Sequence, residues 1–191
     1  MQRGRRRFGI IPVILLCGGL AGGQEARAGA TEGSWEGGAY LFTTHHDVAT
    51  KVQDTPGVGL RVGYNFKPIH EFELDFDKGS GDAINFPGVS YDVSKLSALY
   101  VRTFLLKGHE KLLPTLLAGL GEITVDNGTD SLSTEFLRFG GGFKYFLTPR
   151  VGVRLDASVF RWRGSGQVVP TTAFFAFDVN LGVAVLFGGK K

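Results

Sequence analysis

Phe175-Ala176-Phe177-Asp178-Val179-Asn180-Leu181-Gly182-Val183-Ala184-Val185-Leu186-Phe187 carries a large apolar side chain at every odd position. Successive side chains of a strand point to opposite faces. Phe175, Phe177, Val179, Leu181, Val183, Val185 and Phe187 therefore form one oily wall. Ala176, Asp178, Asn180, Gly182 and Ala184 form a small or polar one.

The split recurs upstream. Val58, Leu60, Val62, Tyr64 and Phe66 alternate with Gly57, Gly59, Arg61, Gly63 and Asn65, and Phe72, Leu74 and Phe76 with Glu71, Glu73, Asp75 and Asp77. Leu137, Phe139, Gly141, Phe143 and Tyr145 oppose Arg138, Gly140, Gly142 and Lys144. Val151, Val153, Leu155, Ala157 and Val159 oppose Gly152, Arg154, Asp156 and Ser158. Such alternation indicates strand and not helix. Three weaker segments complete a set of eight. Trp35 to His45 has Ala39 and Leu41 on its apolar face, and Pro114 to Val125 sets Gly119 and Gly121 against Leu116, Ala118 and Leu120. Val93 to Leu105 is apolar on both faces around Leu99, Tyr100 and Val101, which leaves its register open.

Short connections at Lys67 to His70, Lys107 to Glu110 and Leu147 to Arg150 bend through Pro or Gly. Longer polar loops are expected at His46 to Asp54, Lys78 to Pro87, Val125 to Ser133 and Arg161 to Pro170. Gly79-Ser80-Gly81-Asp82 and Asp126-Asn127-Gly128 read as turns within two of them. Turns then gather at one end and loops at the other, the asymmetry of an outer-membrane barrel. The expected fold is all-β: an eight-stranded antiparallel up-and-down transmembrane β-barrel.

Arg3, Arg5, Arg6 and Arg7, the apolar run Phe8 to Leu20 and the small residues Ala26 to Ala30 have the layout of a secretory signal peptide. The apolar run is shorter than the ~20 residues of a spanning helix. Residues 1–30 are expected to be the signal, cleaved after Ala28 or Ala30, residues 31–187 the barrel and 188–191 a short polar tail. The signal takes with it five Arg, one Glu and Cys17, so a formal charge of +3 becomes −1, with 16 Lys and Arg against 17 Asp and Glu. Basicity is then no argument for a nucleic-acid partner, and the barrel has no thiol chemistry. Leu16 before Cys17 argues against lipidation.

Alternation does not say which wall faces inward. A lipocalin-like secreted barrel would turn the oily wall in and the other to water. That other wall is rich in glycine, where a solvated surface would be densely charged. Glycine suits the narrow interior of a barrel of about eight strands. Its remaining charges come in both signs: Arg61, Arg138, Lys144 and Arg154 can pair with Glu73, Asp75, Asp156 and Asp178. An unpaired charge there would cost roughly several kcal/mol, so a mixed network is expected. Tyr64, Phe66, Tyr145 and Phe187 near the turns, and Phe76, Trp162 and Phe175 toward the loops, read as two interfacial belts.

The chain resembles the small outer-membrane β-barrel proteins of Gram-negative bacteria, the broad OmpA/OmpX-like class. The resemblance spans Trp35 to Phe187 and is carried by Gly57 to Phe66, by Ala118 to Gly121 and by the last strand. It implies an assembly signal at Asn180, Gly182, Val185 and Phe187, read by the barrel-assembly machinery. In that class the aromatic is usually the final residue, whereas Gly188-Gly189-Lys190-Lys191 follow it here.

Chemistry is sparse. His45-His46-Asp47 is the one cluster suited to a metal or a base, and metal sites need three or four converging ligands. A nucleophile would need a His held by a carboxylate, and no His falls on the inward face of the clear strands. The alternating acids Glu71 to Asp77 suit lumen salt bridges better than a catalytic pair. No catalytic, cofactor or metal residue is assigned. The expected role is a non-enzymatic outer-membrane protein with a charge-plugged lumen, with membrane lipid and a possible loop ligand as partners. The alternatives are a narrow pore and a soluble periplasmic ligand-binding barrel.

Overall fold

A strand in hydrocarbon must hand every backbone N–H and C=O to a neighbour, which an open sheet cannot do at its edges. The computed structural model, which describes residues 29–46, 53–83, 88, 90–109, 111–163 and 173–189, solves this by closure. Eight strands follow in order: β1 (Ser34–His46), β2 (Thr55–Lys67), β3 (His70–Asp82), β4 (Ser90–Thr103), β5 (Leu112–Asp126), β6 (Ser131–Phe146), β7 (Val151–Arg163) and β8 (Ala173–Gly188). Each pairs antiparallel with the next, and β8 returns to β1 with Trp35 opposite Phe187. Most of the expected signal segment, Asp47 and the tail's two lysines lie outside the described residues.

Burial decides the orientation of the walls. Leu60 on β2, Leu120 on β5, Phe139 on β6 and Leu181 on β8 are 61%, 62%, 60% and 53% exposed, while Arg61, Arg138, Arg154 and Asp178 are at most 5% exposed. The oily wall faces out, so the soluble lipocalin-like alternative fails. β4 takes the register that alternation left open: Lys95, Ser97, Leu99 and Val101 face in, and Leu96, Ala98 and Tyr100 face out.

Three expectations are corrected. Gly79 to Asp82 is not a turn but the end of β3, paired with Val93 to Ser90 of β4, because Gly79 lies against the Phe42 ring and pairs with Gly57. The expected loop from Val125 to Ser133 shrinks to four residues between β5 and β6. There Gly128 sits at φ +82°, and the side chains of Asp126 and Asn127 accept the backbone N–H groups of Gly128 and Asp130 at 2.6 and 2.7 Å. Trp162 is not in the belt; it is 2% exposed inside the barrel.

Trp162 belongs to an apolar cluster at the loop end with Tyr91, Val93, Ile123, Val125, Phe136, Phe160 and Phe174. A smaller cluster, Leu113, Phe146 and Leu186, lies at the turn end. At the level of the upper cluster the outer wall turns polar, through Lys78, Ser94, Glu122, Thr124, Ser133 and Glu135. The outer wall of β3 to β6 is thus polar at the height of an apolar core that β4 to β8 share inside the barrel.

Candidate functional site

Between the two end clusters the lumen holds a stack of charges, with a third apolar group of Leu99, Val101 and Leu117 beside it, and glycine makes the room. Tyr40 of β1 lies opposite Gly59 of β2 and Gly182 of β8, and its neighbour Phe42 lies opposite Gly57. Each ring covers the glycine beside it, where a Cβ would collide with ring atoms. Tyr40 spends its hydroxyl on Asp77 and its face on the Arg61 guanidinium, 4.3 Å from the ring centroid. We expect Gly59→Ala to destabilise the folded barrel by about 1–3 kcal/mol through overpacking. Gly37→Ala, on the outer wall where the nearest atom belongs to the Phe187 ring at 3.3 Å, should change little. Urea midpoints of the two variants measure the difference.

Three tiers of ion pairs span the lumen. Nearest the turns, Lys144 Nζ donates to Glu36 and Glu71 at 2.6 and 2.7 Å. In the middle, Arg154 grips Glu73 with two nitrogens, reaches Asp156 at 2.8 Å and touches Glu36 at 3.3 Å; Arg61 Nη1 meets Asp156 at 2.8 Å. Nearest the loops, Lys95 binds Asp178 at 2.7 Å and Asp77 at 3.3 Å, under the rings of Phe42 and Phe160. Arg138 ties the upper tiers together through Asp75 at 3.3 Å, itself 3.7 Å from Arg61, and through Asp178 at 3.9 Å, and it also donates to Ser158 at 2.9 Å. All these side chains are nearly solvent-free.

The structure thus brings Arg61, Glu73, Asp75, Arg138, Lys144, Arg154, Asp156 and Asp178 into one connected cluster. It adds Glu36, Glu71, Asp77 and Lys95. Glu71 and Asp77 lie in the alternating acid run. Glu36 is masked in sequence by the Gly37-Gly38 pair, and Lys95 by the apolar neighbours on both faces of β4. The one signal for Lys95 is that it is the sole Lys or Arg between Lys78 and Arg102.

The carboxylates of Glu36, Glu71 and Glu73 converge closely enough to suggest a cation site. Lys144 and Arg154 already supply the positive charge there. His45 and His46, adjacent on a strand, diverge: His45 Nδ1 bonds Asp54 at 2.8 Å on the outside, and His46 Nε2 bonds Thr55 at 3.0 Å. They make no shared ligand set. In the last strand Asn180 and Gly182 face the lumen, and Val185 and Phe187 face out.

Solved structures with this architecture include Neisserial surface protein A (18% identity, TM-score 0.56, covering 81% of this chain and 96% of that one). Two proteins of Pseudomonas aeruginosa are also similar. They are the N-terminal β-barrel domain of OprF (20%, TM-score 0.52, 83% and 100%) and OprG (12%, TM-score 0.63, 84% and 99%). At these identities the likeness concerns the fold. No curated protein sequence matches. The model of the outer membrane protein beta-barrel domain matches residues 13–187. With closure, an outward oily wall and that match together, the chain belongs to the outer membrane protein beta-barrel domain family and resides in the outer membrane.

Proposed function

We propose that this protein is a non-enzymatic outer-membrane barrel with a plugged lumen, serving envelope structure and surface contact through its loop end. The observation that supports this most is the three-tier ion network, capped above and below by packed apolar side chains. Moving an ion through it would require breaking several desolvated pairs at once, each costly to leave half-made. In planar bilayers the purified protein is expected to give no stepwise current. Reproducible steps whose size changes in Arg61→Lys, which keeps a cation beside Asp75 and Asp156, would replace this reading with a narrow pore.

Biogenesis follows from the ends of the chain. In this reading residues 1–30 are the export signal, 31–187 the barrel and 188–191 a tail. Asn180, Gly182, Val185 and Phe187 are the signal taken up by the barrel-assembly machinery. Pairing of β8 with β1, which sets Trp35 opposite Phe187, would then be the closing step.

A further inference from the structure

The barrel sorts its charges by height. At the turn end the exposed cations are Lys67, Arg102, Lys107, Lys111 and Arg150, and Glu32 is the exposed carboxylate among the described residues there. Carboxylates dominate the loop end, Asp82, Asp92, Glu122 and Glu135 among them. In this fold the short turns face the periplasm, so the basic end meets the inner leaflet of the outer membrane.

One part of this basic end is built more tightly than the rest. His70 lies opposite Lys67 of β2 and opposite Arg102 of β4, which places two cations on either side of an imidazole. Beneath them runs a ladder of outward-facing rings. Phe66 stacks on His70 at 5.7 Å and on Phe72 at 4.9 Å, and His70 stacks on Tyr100 at 5.8 Å. The Tyr100 hydroxyl is bonded to His70 Nδ1. With that hydroxyl donating, the ring carries its proton on Nε2, a donor suited to an anionic oxygen. The Arg102 guanidinium lies 5.5 Å from the Phe104 ring.

We propose that Lys67, His70 and Arg102 bind the phosphodiester of an anionic phospholipid in the periplasm-facing leaflet, with its acyl chains along Phe66, Phe72 and Tyr100. The rings select a ligand with an apolar part, because they lie on the wall already turned to lipid. The charges select an anionic head over a zwitterionic one. Glu71, the carboxylate beside His70, is 1% exposed and engaged by Lys144 inside the lumen, so it offers nothing to a choline or ammonium group.

The test is native mass spectrometry of the protein purified from outer membranes in detergent, titrated with phosphatidylglycerol or phosphatidylcholine of identical chains. Each cation near a lipid surface contributes about a five-fold gain. Phosphatidylglycerol should therefore bind at least about ten-fold tighter, and K67Q/R102Q should bring the two lipids within about two- to three-fold. K107Q/K111Q, which removes two cations from the next turn, should keep the preference, and millimolar inorganic phosphate should not displace the lipid. Heat-modifiable gel migration confirms folding of each variant, and K67Q and R102Q singly are read the same way if the double variant does not fold. Equal binding of the two lipids overturns the proposal. So does a preference that survives K67Q/R102Q, a preference lost in K107Q/K111Q, or displacement by phosphate alone.

Discussion

Replacing Arg154 with methionine is expected to be the most damaging single change in the barrel, costing about 3–5 kcal/mol and leaving little folded protein after membrane extraction. Arg154 is the hub of the middle tier, shared by Glu36, Glu73 and Asp156. Methionine fills much of the volume but strips Glu73 of its ion-pair partner and leaves Glu36 to Lys144 and Asp156 to Arg61 alone. The loss therefore exceeds what the pairs contribute when intact, since an orphaned buried charge costs more than a made pair returns. Urea unfolding in detergent, followed by the shift in gel migration on heating, measures it. Adding Glu73→Gln to Arg154→Met should recover part of the stability by neutralising the orphaned carboxylate, and the non-additivity of the pair is the coupling energy. A midpoint for Arg154→Met equal to that of the unaltered protein would show that the network contributes nothing to folding.

The second large effect lies on the other wall. Leu181 is the central residue of the outward run from Phe175 to Phe187 and lies opposite Leu41 and Leu155 of the neighbouring strands. Leu181→Arg should destabilise the inserted barrel by about 2–4 kcal/mol, the cost of a guanidinium at the bilayer midplane. At the loop end of the same row the side chain can reach the headgroups, and Phe175→Arg should cost about 0–1 kcal/mol for its charge. Folding equilibria in vesicles, read by gel migration, give both values. Equal penalties at 175 and 181 would mean that this row does not cross the membrane from one interface to the other.

How far the sequence could be read depends on what each strand touches. In β2, β3, β6, β7 and β8 one face meets lipid and the other a polar lumen, so the two-residue period stands out. β4 hides its period because its lumen face mixes Val93, Leu99 and Val101 with Lys95 and Ser97. Trp162 reads as a belt residue for a related reason. The interior becomes apolar above the lipid-facing band, and the rule that aromatics mark the outer wall inverts there. Charge pairing is harder still to read, because it joins distant positions. Lys95 and Asp178 are 83 residues apart and belong to strands that are not neighbours, so the chain offers no local sign that they meet.

The core that the strands raise above the lipid has a consequence for the hairpin between β5 and β6. Its four-residue tip stands on side chains that hold themselves together, as a lamp stands on a post with its own footing. In the proposed surface role, exchanging residues 127–130 is expected to leave the buried cluster beneath them intact.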